Sequence, residues 1–366
     1  MHSPQSDPVG GGSGGSSDPR AATLRRYLAD GLGEFMNNPA TTDIAINYAG
    51  VVFTETSAGW QRHERPAIDH AYCHSIAMAV AGYRKQQLGQ ERPLLSGTLP
   101  NGERIQIVLP PASGLHDISI TIRRPGSTRK TLADYDEDGT FEDTICECLS
   151  DEETRKGITL TRGEQKLWEL FQQRRFTEFL RLAVRSEKKN VIVAGATGSG
   201  KTTLTKALVD LIPSDERLIT IEDTPELDLP FHPNRVHLFY TKGDQGTAQV
   251  TAKDMLESCL RMKPDRVLLS EIRSDEAYYY LRNVNTGHPG SLTTIHADSA
   301  LLSFTQLMLI LKDTRSAGAM TNSELYSLLH SLVDVVAHFK FDAEKRQRVC
   351  TGIYFDPYRK RMAIRG

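Results

Sequence analysis

The chain has 366 residues, 44 Lys plus Arg against 46 Asp plus Glu, a net charge of -2, and 39% hydrophobic and 25% charged residues. This length exceeds the usual size of one hydrophobic core, so two domains are expected, and the near-neutral balance excludes a generally basic nucleic-acid coat. No apolar run approaches the roughly 18 residues that a spanning helix needs, which excludes an integral membrane protein of that kind. The five cysteines (Cys73, Cys146, Cys148, Cys259, Cys350) form an odd, scattered set without zinc-pair spacing. With no secretory signal, the chain reads as a reduced, cytoplasmic protein without a structural metal.

Residues 1–20 are rich in Gly, Ser and Pro and cannot bury enough apolar surface to order themselves, so they read as a flexible leader or an expression remnant. Residues 21–125 mix helix and strand. Helices are expected in "TLRRYLADGLGEFM" and "IDHAYCHSIAMAVAGYRKQ", and strands in "TDIAINYAG", "VVFTETSAGW", "LLSGTL", "ERIQIVLP" and "HDISITIRRP". Asn101-Gly102 between alternating apolar residues is a hairpin signal, giving a small α+β domain with an antiparallel sheet. Residues 126–160 have an acidic centre and weak periodicity, with at most a short helix in "FEDTICECL". They read as an interdomain linker.

From residue 161 to 366, two helical stretches lead into strands alternating with helices. The strands are "NVIVAG", "RLITIED", "RVHLFY", "DRVLLSEI" and "SLTTIHA". Such alternation predicts an α/β domain with a parallel-rich sheet and ligands at the carboxyl ends of its strands. The basic ending, residues 345–366, reads as a solvated surface.

Gly195-Ala196-Thr197-Gly198-Ser199-Gly200-Lys201-Thr202-Thr203 lies between a strand and a helix and contains G-x-x-x-x-G-K-[ST]. Glycines let main-chain N–H groups wrap phosphates, Lys201 reaches the outer phosphates, and the Thr202 hydroxyl suits Mg²⁺, so ATP with Mg²⁺ is the expected ligand. Glu222 and Asp223 end the next strand and can orient water or hydrated Mg²⁺; alternatively Asp223-Thr224-Pro225 only starts a turn. Glu271, at the end of "DRVLLSEI" and two residues before Arg273, is placed for the magnesium shell or the attacking water. His296 also ends a strand, where an N–H can sense a phosphate, and His288 precedes a Gly-rich turn.

The four segments "GATGSGKT", "TIEDTPEL", "RMKPDRVLLSEIR" and "TGHPGSLTTIHA" resemble, in this order, the boxes of the secretion or traffic ATPases. The branch this chain is most similar to is the hexameric ATPase of type IV secretion and conjugation machines, a likeness that "LPNGERIQIVLPP" and "ISITIRRP" extend toward the amino terminus. The resemblance implies a RecA-like P-loop domain behind a smaller α+β domain, with ATP held between the two. It also implies a homo-hexameric ring at the cytoplasmic face of the bacterial inner membrane, peripheral to it, with inner-membrane components of the secretion system and a coupling ATPase as partners. Carried over by residue, it makes Glu222 the acidic-box residue and Glu271 the Walker-B acid, a metal-site residue with Thr202. His288 and His296 become the histidine-box pair, and Arg104 with Arg123 or the adjacent Arg124 the arginines brought toward the nucleotide. Ser270 departs from the glycine usual before the glutamate. Rival readings are a pilus or type II secretion motor, a DNA translocase on the same core, and a nucleotide-gated docking hub.

Overall fold

The computed structural model describes residues 18–56, 58–124, 129–240 and 250–365. The chain forms two compact units, the boundary in the chain falling at Pro125/Gly126.

The amino-terminal unit contains α1 (Pro19–Met36), β1 (Asp43–Ile46), β2 (Val51–Thr56), β3 (Gly59–Glu64), α2 (His70–Arg84), β4 (Leu94–Thr98), β5 (Arg104–Val108) and β6 (Ser119–Arg123). Asp18 caps α1, so residues 18–20 belong to the fold; the leader expectation otherwise lies outside the described residues. Among the described residues, the strands form one sheet in the order β3-β2-β1-β6-β5-β4, antiparallel throughout. Alternate residues Ile105, Ile107, Ile120 and Ile122 point inward and meet Leu24, Leu28 and Leu32 of α1 and Ile76 and Val80 of α2 in one core. The Asn101-Gly102 turn joins β4 to β5, with Gly102 at φ 98°.

The carboxyl-terminal unit begins with α3 (Leu132–Glu137), β7 (Ile145–Glu147), α4 (Glu152–Arg155), α5 (Arg162–Gln172) and α6 (Phe176–Arg185). The nucleotide-loop region follows as β8 (Val191–Ala194), α7 (Lys201–Val209), β9 (Leu218–Glu222), β10 (Arg235–Phe239), α8 (Ala252–Met262), β11 (Arg266–Leu269), α9 (Glu276–Asn285) and β12 (Leu292–Ile295). The unit ends with α10 (Leu302–Lys312), α11 (Asn322–Leu332), β13 (Val335–Asp342), β14 (Gln347–Phe355) and α12 (Pro357–Arg365). Capping boxes start α5 (Thr161/Glu164), α8 (Thr251/Asp254) and α11 (Thr321/Glu324), each satisfying backbone donors that the first helical turn leaves over.

β10-β9-β11 and β12-β8-β13-β14-β7 are joined by a parallel bridge between Ile272 and Ile295, giving a continuous sheet that is parallel except at β13/β14. Val191 and Val193 of β8 belong to one core, Ile192 and Ala194 to another. Strand residues alternate between faces, so helices cover both sides of the sheet and the loop after β8 emerges at its carboxyl edge.

Two expectations are corrected here. Residues 129–160 are not a free linker: Leu132, Tyr135 and Phe141 enter the core of this unit, and the "FEDTICECL" segment supplies strand β7 instead of a helix, paired in parallel with β14. Thr144 reinforces that edge, its hydroxyl donating to the Cys350 carbonyl at 2.9 Å. Nor are residues 345–366 merely solvated, because β14 buries Val349, Cys350, Ile353, Tyr354 and Phe355. The strand enters the sheet with its first two, polar residues, Gln347 and Arg348, at the rim.

Candidate nucleotide site

All four predicted boxes send residues to the carboxyl edge of the sheet. The loop after β8 turns through Gly195, Gly198 and Gly200, all at positive φ (148°, 76° and 99°). A Cβ on Gly195 would lie 2.2 Å from the Phe339 carbonyl oxygen, so the close approach as well as the backbone angle demands glycine. Lys201 opens α7, is buried, and its Nζ donates to the carbonyls of Gly195 at 2.7 Å and Ala196 at 2.9 Å. Burial lowers the ammonium's pKa, an effect that the Glu271 carboxylate opposes. Ser199 Oγ is buried without a hydrogen-bond partner. A buried cation on backbone acceptors, an orphaned hydroxyl and a helix amino terminus form a receptacle for phosphate.

Glu271 follows β11 by two residues and is buried. Its Oε1 lies 2.8 Å from Nε2 of His296, the residue after β12, while Arg273 grips its Oε2. Arg273 also binds Asp223 Oδ2 at 2.7 Å. Burial, then the positive charge of Lys201, lower the pKa of the half-exposed His296 imidazole. Thr202 donates its hydroxyl to Glu226 Oε2 at 3.1 Å. Thr202, Glu226 and Glu271 supply hard oxygen donors, the type suited to a Mg²⁺ ion that is otherwise held by phosphate and water.

Glu222 departs from its expected place on the reacting water. It is 0% exposed, and both carboxylate oxygens are consumed locally. Oε2 accepts from the backbone N–H of Glu226 at 2.7 Å and of Leu227 at 2.9 Å, while Oε1 accepts from the Thr220 hydroxyl at 2.6 Å. Glu222 therefore folds the acidic loop back on itself, and the carboxylate that reaches Thr202 is Glu226. Sequence reasoning missed Glu226 and Arg273; the only signal for either was another charged residue in a box already marked for chemistry.

His288 also departs from the predicted pair. It lies in the turn before β12, and β12 runs parallel to β8, so it sits off the sheet edge opposite the loop. The strand between the two histidines spans roughly 13 Å. In the amino-terminal unit, Arg104 and Arg123 face each other across β5 and β6, and Arg123 Nε binds Asp43 Oδ1 at 2.7 Å. Arg124 points elsewhere, donating to the carbonyls of Asn38 and Thr41, so the arginine sharing a row with Arg104 is Arg123.

Residues 162–340 match the family model described as type II/IV secretion system protein. The chain is 43% identical over 339 residues to the type IV secretion system protein VirB11 of Bartonella quintana, covering 92% of this chain and 94% of the relative. The chain belongs to the VirB11 family. The Brucella suis VirB11 is 41% identical over 345 residues, covering 93% of this chain and 92% of the relative. The crystal structure of the VirB11 ATPase from the Brucella suis type IV secretion system, in complex with sulphate, matches at 40% identity with a TM-score of 0.52, covering 93% of this chain and 99% of that one. The pilus retraction motor PilT with bound ADP matches at 14% identity, TM-score 0.54, covering 92% of this chain and 87% of that one; at that identity it shares the fold alone. This VirB11-family chain carries Ser270 just before Glu271, buried, with its hydroxyl unpartnered and its carbonyl accepting from the Thr294 hydroxyl at 2.9 Å. The serine thus fits the strand end with its backbone pairing intact.

Proposed function

We propose that this chain is the ATP-hydrolysing motor of a type IV secretion or conjugation machine, a homo-hexamer that energises substrate transfer, pilus assembly or both. It works peripherally at the cytoplasmic face of the bacterial inner membrane, with inner-membrane components and a coupling ATPase as partners. No helix among the described residues is long and apolar enough to cross a membrane. The observation that carries the reading is the convergence of Lys201, Glu271 and His296 beneath one glycine loop.

The reaction is phosphoryl transfer to water, in which the protein supplies position and charge. Loop N–H groups from residues 195–203 and the Lys201 ammonium hold the phosphates. Mg²⁺, when bound, neutralises phosphate oxygens, and Thr202 and Glu271 would hold it. Glu271, aimed by Arg273 and His296, orients the attacking water. His296, whose pKa is lowered, carries one N–H in its neutral form and turns it from the Glu271 carboxylate to the phosphate when nucleotide binds. Glu222 acts at one remove by fixing Glu226. Arg104 and Arg123 are the arginines proposed to compensate charge developing on the transferred group.

Steady-state ATP hydrolysis, with and without single-stranded DNA, tests this reading. Lys201→Ala abolishes turnover, and Glu271→Gln retains ATP binding while losing hydrolysis by at least a hundredfold, on the order of an oxyanion-type loss. Undiminished turnover in either variant refutes the assignment. Strong stimulation by DNA would instead favour a translocase, and ATP binding without hydrolysis a docking hub.

A further inference from the structure

Arg348 stands near the start of β14, in the basic stretch that the sequence presents as solvated surface. Its Nε donates to the carbonyl oxygen of Gly198, in the middle of the phosphate loop, at 2.9 Å. Its Cδ fills the space beside Gly200, where a Cβ would fall 2.7 Å away. The strand fixes this placement: Arg348 pairs with Phe341 in the β13/β14 ladder, beyond the irregularity at His338/Phe339 that also sets the Phe339 carbonyl against Gly195.

The guanidinium differs from several others of this unit in how its charge is used, though Arg174 and Arg235 also donate to carbonyls. Arg129 is paired with Asp210 and Asp228, Arg266 with Glu216, Arg273 with Glu271 and Asp223, and Arg361 with Glu164. Among the described residues, Arg348 has no carboxylate partner; its one hydrogen bond goes to a neutral carbonyl of an anion-binding loop. A guanidinium keeps its charge and carries five N–H donors, so four remain on an exposed side chain beside the loop. Lys201 holds the carbonyls of Gly195 and Ala196, and Arg348 holds that of Gly198. The two cations together turn loop carbonyls toward themselves, which leaves loop N–H groups for an anion.

We propose that Arg348 is a second phosphate-binding cation of the nucleotide loop, supplied by the same chain as Lys201. It braces the Gly198 peptide through Nε and lends its Nη groups to the nucleotide's phosphates. This rests on the reading of residues 195–203 as an ATP loop. The role is distinct from that of Arg104 and Arg123, which belong to the other unit.

The test is calorimetric binding of AMP, ADP and ATP with Mg²⁺ to the full chain and to Arg348→Ala, Arg348→Lys and Lys201→Ala, with thermal midpoints as a check on folding. Arg348→Ala should weaken ATP binding about tenfold, as expected for a charge-assisted contact, with the loss growing from AMP to ADP to ATP. Arg348→Lys, which keeps the charge but not the fork, should recover part of it. Unchanged ATP affinity in Arg348→Ala would overturn the proposal. So would an equal loss for all three nucleotides, because a cation that touches the phosphates gains with each phosphate added. Wild-type binding of ATP that is indifferent to Lys201→Ala would overturn the loop reading, and Arg348's role with it.

Discussion

The two edges of the parallel strands in the carboxyl-terminal unit are both crowded with polar groups, yet they use them in opposite ways. At the amino edge, Arg266 is 0% exposed and forked onto Glu216 (2.7 and 3.1 Å), with a third bond to the Val184 carbonyl at 2.7 Å. Beside it, Asn190 Oδ1 accepts from the N–H groups of Gly290 and Ser291, and its amide donates to the Leu332 carbonyl. At the carboxyl edge, Lys201 rests on carbonyls, Ser199 Oγ is unpartnered, and Arg348 spends one donor of five. Buried polar groups are normally satisfied, and those of the Arg266 and Asn190 clusters are, although His288 Nδ1 on the same edge is not; the spare donors around residues 195–201 mark the place built for something that arrives.

The hardest test of that contrast removes Arg266. Arg266→Met strands Glu216 in a buried position with only Lys188, 3.3 Å away, and should cost about 3 kcal/mol in a denaturant titration. Nucleotide affinity of the folded protein should stay within twofold. A loss of ATP affinity at unchanged stability would dissolve the distinction between the edges.

Glu222 sharpens the comparison within the active edge itself. Glu222→Gln keeps an oxygen for the Glu226 and Leu227 N–H groups, so hydrolysis should fall less than about fivefold. Glu222→Ala leaves those buried donors unpaired, at about 1–3 kcal/mol, and lets Glu226 drift from Thr202. If Glu222→Gln proves as damaging in an ATPase assay as Glu271→Gln, Glu222 acts on water directly.

A further effect is one of pH and lies away from both edges. Burial pushes the His330 imidazole down to about 4; it stacks on Phe304 at 4.5 Å and shares a hydrogen bond between Nδ1 and the Tyr354 hydroxyl at 3.0 Å. Between the ordinary value of 6.5 and about 4 the unfolded chain binds the extra proton, so this residue's contribution is intact above 6.5 and is lost as pH falls. By pH 5 the loss should reach about 2 kcal/mol. His330→Asn should flatten that slope in urea titrations at pH 7 and pH 5, and an unaltered slope would assign it to other groups.

What was legible in the sequence follows from how locally each feature is encoded. The glycine loop was readable because its chemistry is a matter of residue type at fixed spacing, and β8, β9, β11 and β12 because they are short β-branched and apolar runs bounded by glycine or polar residues. The role of Glu222 was not, since backbone N–H groups folded onto it by the following loop decide it, and every residue type carries those. β7 was hidden because three residues at a sheet edge carry no period, and the acids around them favoured a solvated reading. α10 is apolar on nearly every side, with Leu302 and Leu309 exposed, so no amphipathic repeat announced it. Arg348 was hidden for a further reason: its partner, Gly198, lies 150 residues away.

The late position of β13 in the chain has a consequence for biosynthesis. Residues 335–342 lie between β8 and β14, and the Phe339 carbonyl closes against Gly195. The strand that launches the nucleotide loop therefore stays open on one side until residues 335–342 have been made. A nascent chain halted before this point has the signature motif but lacks its wall, so competence to hold a nucleotide is acquired only once residues 335–342 have followed the loop by well over a hundred positions, after the amino-terminal unit is free to fold.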